Sequence, residues 1–110
     1  MKFDLYVHSK YSYDSNLSPE KIIKFAKKKG LNGVAITDHN TILGGIETSK
    51  INKDKDFHVI VGEEIKTEYG DIVALFIREE ITARNFEDVV DEIKNQEGLS
   101  VLAHPFRHFK

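Results

Sequence analysis

The sequence predicts an α/β fold built on a mostly parallel sheet with flanking helices. Three observations carry that expectation. Short apolar runs at Phe3–Val7, Gly33–Ile36, Phe57–Val61 and Ser100–Ala103 read as buried strands. Longer stretches of helical periodicity lie between them, and strand–helix alternation favours right-handed crossovers and parallel pairing. Finally, each run delivers a histidine or a carboxylate just past its C-terminal end: His8 (with Asp14 in the following loop), His39, Glu64 and His104. In α/β barrels the loops at that end of the strands converge, so residues at that address share a site. A lone histidine is more often structural or on the surface; four at one address argue for a common purpose.

The elements follow in order. Phe3, Leu5 and Val7 alternate in the first strand, which enters a polar loop through Asn16. Ser18-Pro19-Glu20 is a helix start: a capping hydroxyl, a proline at the first helical position and an acid at the positive dipole end. Ile22, Phe25 and Ala26 supply its apolar face. Lys27, Lys28 and Lys29 complement the negative end, where they read better as a solvated last turn than as a phosphate grip, and Gly30 ends the helix. After Gly33–Ile36 a second helix is expected from about Leu43 to Ile51. The strand Phe57–Val61 leads to Gly62, Glu63 and Glu64. The turn Glu68–Asp71 predicts a hairpin into Ile72–Ile77. Asn85 caps a third helix whose Phe86, Val89, Val90 and Ile93 fall on one face, with Gly98 as its stop. Ser100–Ala103 is expected as a fourth parallel strand, exiting at His104-Pro105-Phe106-Arg107.

Composition narrows the function classes. With 110 residues the chain makes one small domain, short for a closed barrel of about 250 residues. A 40% hydrophobic and 31% charged composition is that of a soluble globular domain. The formal net charge of -2 offers no basic stripe for nucleic acid, although bound metals would supply positive charge for a nucleotide. With no cysteine, disulfides and thiolate metal sites are excluded. No apolar run approaches the ~20 residues of a membrane span, and Met1-Lys2 followed by a strand is no signal peptide. The expected compartment is the cytoplasm.

The runs DLYVHSKYSYD, GLNGVAITDHNT, GEEI and HPFR resemble, in order and spacing, the first half of the PHP (polymerase and histidinol phosphatase) family, over nearly the whole chain. The resemblance implies the N-terminal half of a distorted (βα)7 TIM-like barrel, so that residues 1–110 form a single, incomplete PHP domain. It implies a metal-dependent phosphoesterase acting on phosphate mono- or diesters such as nucleotides, through metal-activated water. Up to three divalent ions (zinc, manganese or iron) are implied. Glu64 would bridge two of them, His8 and His104 would each hold one of that pair, and Asp14 with His39 would hold the third. Arg107 either grips a phosphate oxygen or is a surface arginine near the chain end.

Two features depart from the family pattern. Where the family opens with H-x-H, this chain has Tyr6-Val7-His8. The family also continues past HPFR with further ligands. The rival reading is therefore a truncated or degenerate module that binds metal without turnover. The exposed sheet edge predicts a homodimer, or a separate C-terminal half as partner. Asp38 is expected to orient His39 or nearby backbone, and Glu63 to point away from Glu64. His58 and His108 are left outside the site.

Overall fold

A computed structural model describes residues 1–105, with side chains placed through Ala103. Five strands and three helices alternate as β1 (Phe3–Val7), α1 (Pro19–Lys28), β2 (Gly33–Ile36), α2 (Leu43–Ile51), β3 (His58–Thr67), β4 (Gly70–Leu75), α3 (Phe86–Asn95) and β5 (Leu99–Pro105). The strands lie in the order β1-β2-β3-β4-β5 in one sheet. β1, β2 and β3 pair in parallel, β3 and β4 form the expected hairpin, and β5 pairs antiparallel with β4. Four strands therefore share one direction, and β4 alone runs against them.

The expected fourth parallel strand does run parallel in sense to β1–β3, but its neighbour is β4 rather than a parallel strand. The hairpin inserts β4 between β3 and β5. A second correction concerns length. β3 does not stop at Val61 but runs on to Thr67, because β4 pairs with Gly62 through Thr67. Glu63 and Glu64 therefore sit inside a strand, not in its exit loop. β4 in turn begins at Gly70 and ends at Leu75, earlier than the expected Ile72–Ile77. β5 likewise runs to Pro105, so the His104 backbone belongs to a strand.

The sheet curls. Leu5 and Tyr6 of β1 share one apolar hollow, of about 300 Å³, with Val73, Leu75, Val101 and Ala103 of β4 and β5. Ala35, Val73 and Leu75 pack beneath this concave face with Ile60. Ala35 is fully buried there, not exposed as a half-open barrel would suggest.

The convex face carries the helices. Ile22 and Ala26 of α1 pack on Val34, Ile36 and Phe57. Val89 and Ile93 of α3 pack with Ile42, Ile65 and Ile72. Phe25 is exposed, since the buried stripe of α1 is Pro19, Ile22 and Ala26. Ser18 caps α1 through Lys21 N, and Gly30, at a φ of 81°, closes it with bonds from Gly30 N to Lys27 O and from Leu31 N to Ala26 O. α3 ends differently from expectation. Glu97, not Gly98, takes the left-handed position, at a φ of 61°. Gly98 serves close approach instead: a methyl there would lie 2.9 Å from Leu75 O. Among the described residues no helix is long and apolar enough to cross a membrane.

Candidate metal centre

The register of the sheet assembles the site. Thr37 N bonds Val7 O, Glu64 N bonds Asp38 O and Asn40 N bonds Glu64 O. These bonds extend the sheet past the ends of β1 and β2 and make His39 a lateral neighbour of Glu64. The same edge receives the His104 backbone, which pairs with Asp71.

Two irregularities flank this edge. Between Asp4 and Val7, three steps of β1 match two of β2, which is one extra residue. Such a bulge re-aims side chains. Here both Leu5 and Tyr6 face the concave side while Asp4 and Val7 line the opposite, α1 side. On the far side, one step from Asp71 to Ile72 matches two from His104 to Leu102.

The polar loop after β1 is anchored from below. Asp38, buried, accepts hydrogen bonds from Ser9 N (2.5 Å), Ser9 Oγ (2.6 Å) and Ser12 Oγ (2.7 Å). Ser12 Oγ in turn accepts from His39 N at 3.0 Å. Asp38 thus organises the loop that carries Asp14, and it reaches His39 only through Ser12. A buried carboxylate needs such donors, and here they arrive from three directions. Gly44, in the first turn of α2, completes the cradle. A methyl at that position would collide with Asp38 Oδ2 and Ser9 Oγ.

Above this base four predicted ligands converge. His8 Nδ1 lies 3.1 Å from Asp14 Oδ1, and His39 Nε2 lies 3.1 Å from Asp14 Oδ2. His8 Nε2 lies 2.8 Å from Glu64 Oε1, and His39 Nδ1 lies 3.6 Å from the same oxygen. The two imidazoles touch, with ring centroids 4.4 Å apart, and Tyr13 stacks on His39. One ligand atom each from His8, Asp14 and His39 lie within 4.8 Å of one another. Partial desolvation raises the pKa of Asp14, but the His39 hydrogen bond and the nearby His8 and His39 outweigh it, holding the carboxyl below its usual range.

The donor set fits a divalent ion. Imidazoles and carboxylates without thiolates suit zinc, manganese or iron. Ligand atoms each about 2.0–2.2 Å from one ion stand roughly 3 Å or a little more from one another, the separation found here. The side chain of His104, and all of Arg107 and His108, lie outside the described residues. His58 is exposed at the opposite end of β3, stacked on Phe3.

Sequence reasoning marked Tyr6 as the departure from H-x-H but foresaw neither its contacts nor the burial of Glu63. Tyr6 donates its hydroxyl to Glu64 Oε1 at 2.8 Å and packs its ring against His8 at 4.9 Å. Its pKa is pushed up by burial and by the Glu64 hydrogen bond and charge. Only the bulge turns it inward, and no periodicity announces a bulge. Glu63 points to the opposite face from Glu64, as alternation requires, but it is fully buried and accepts from Ile81 N at 3.0 Å. Burial raises its pKa to about 7.

Known proteins resemble this chain in sequence and fold. The PHP domain family model matches residues 4–104. An uncharacterised protein of Methanocaldococcus jannaschii is 44% identical over 96% of this chain, which spans 68% of that protein. A 5'-3' exoribonuclease of Haemophilus influenzae is 38% identical over 62% of the chain, and the match covers 24% of the enzyme. Among solved structures, a candidate metal-dependent phosphoesterase of Bifidobacterium adolescentis superimposes with a TM-score of 0.62 at 24% identity, over 86% of this chain and 32% of that one. The chain therefore spans about two thirds of one relative and a third or less of the others. The family model covers nearly all of the described chain, and the chain belongs to the PHP domain family.

Proposed function

We propose that this chain carries the metal-binding rim of a hydrolase acting on phosphate mono- or diesters, nucleotides among them. The observation that carries the reading is the convergence of His8, Asp14 and His39 within 4.8 Å, with Glu64 against His8. The similarity to a candidate phosphoesterase and to an exoribonuclease supports the same class.

Asp14, held ionised, and the two imidazoles would hold the ion, with His104 as a further ligand. A bound divalent ion supplies Lewis acidity and lowers the pKa of its water from about 15.7 toward 7. Glu64 Oε1, 2.8 Å from both His8 Nε2 and the Tyr6 hydroxyl, would orient His8 and take a proton from that network. Arg107 would hold a phosphate oxygen through its fork. A second reading, metal binding without turnover, draws on Tyr6, a phenol where the family carries an imidazole.

Hydrolysis of mono- and bis-nitrophenyl phosphate, with and without manganese, separates the two. Turnover that requires metal and falls roughly tenfold or more in Asp14→Asn supports the hydrolase. Metal uptake with no turnover on either ester supports the second reading.

A further inference from the structure

We propose that Tyr6 sets how many divalent ions the centre takes: by holding Glu64 Oε1 it confines tight binding to the His8, Asp14 and His39 cluster. The inference rests on the metal-centre reading above and adds a specificity-determining residue to it.

The geometry at Glu64 Oε1 carries the argument. Two donors reach that oxygen at 2.8 Å, the Tyr6 hydroxyl and His8 Nε2. A carboxylate oxygen offers about two acceptor positions, and these two contacts use both. A cation approaching Oε1 must displace one of them. His8 is held on its other side as well, through Nδ1 to Asp14 at 3.1 Å, so it is not easily moved. Tyr6 is fixed too: the β1 bulge aims it inward, and its ring packs at a 56° tilt against His8. A hydroxyl that donates its proton to the carboxylate opposes the cation where an imidazole nitrogen would welcome it. The His8–Asp14–His39 group gathers around Asp14 at the Nδ1 edge of His8, whereas the Tyr6 hydroxyl meets Glu64 at the Nε2 edge, with His39 Nδ1 3.6 Å from Glu64 Oε1.

The test is calorimetric titration of the metal-free full chain with zinc, for wild type, Tyr6→Phe, Tyr6→His and Asp14→Asn. Wild type should take one equivalent, and Asp14→Asn should weaken it by roughly tenfold or more. Tyr6→His should take two, and Tyr6→Phe should take a second more weakly, with the first ion unchanged in both. Circular dichroism melts verify folding, and either Tyr6 variant suffices if the other fails to fold. Two equivalents in wild type would overturn the proposal while leaving the metal centre intact. So would a single equivalent in both Tyr6 variants, or a tyrosinate absorption band appearing with the ion, which would make Tyr6 a ligand. No uptake by wild type would overturn the metal-centre reading and this proposal together.

Discussion

Glu63 illustrates how one side chain can tie stability to pH. It lies fully buried on the convex face, with Ile81 N donating to Oε1 and no hydrogen-bond partner for Oε2 among the described residues. Burial, with the charge of Glu80 adding to it, raises its pKa from 4.5 to about 7, against the pull of the Ile81 bond. The fold therefore prefers the protonated acid. Because the folded value is the higher one, its contribution is full below about 4.5 and is lost as pH rises through 7. The span between those values is worth roughly 3 kcal/mol at most. Glu63→Gln, which keeps the shape without the charge, should leave stability near pH 5 little changed and raise it at pH 8 by up to that amount. Urea unfolding at both pH values measures it; a wild-type curve flat from pH 5 to 8 would contradict the assignment.

At the scale of elements, the start of α2 and the start of α3 matter for different reasons. Gly44 is needed for space: its missing side chain admits Asp38 Oδ2 and Ser9 Oγ. Alanine is the better helix former by about 1 kcal/mol, yet overpacking costs about 1–3 kcal/mol. Gly44→Ala should therefore destabilise the chain by about 1 kcal/mol and weaken metal binding by disturbing the Ser9–Asp38 anchor. Thermal melts together with zinc titration report both effects, and an unaltered affinity would detach Asp38 from the site. The cap of α3 is simpler. Asn85 accepts from Asp88 N at 3.0 Å, and Phe86 beside it meets Glu68 and Tyr69, which are not among the predicted ligands. Asn85→Ala should cost about 1 kcal/mol of stability and leave zinc affinity unaltered.

For the whole molecule, the open sheet dominates. Among the described residues, β1 and β5 each have a neighbour on one side only. Leu5 is 49% exposed, Leu99 53%, Val101 44% and Leu102 46%. Exposed apolar edge strands are templates for pairing, and closed symmetric dimers are the commonest outcome. We propose that the chain self-associates. Sedimentation velocity at micromolar concentration should show a dimer or larger, and Val101→Lys with Leu102→Lys should shift it toward monomer. A monodisperse wild-type monomer would refute this.

Local chemistry made much of this legible. Ser18-Pro19, Asn85 and the Val89–Ile93 stripe announce helices because caps and periodicity act over one or two turns. His8, His39 and Glu64 could be placed at one edge because parallel strands deliver their ends to the same side. Three matters were decided by long-range pairing alone. The hairpin prolonged β3 through Glu64, since a strand lasts as long as its neighbour supplies hydrogen bonds. The bulge turned Tyr6 into the site, because one extra residue in β1 reverses the faces beyond it. The third was the anchoring of Asp38 by Ser9 and Ser12, residues 26 to 29 positions away, which meet it only once β1 and β2 are in register.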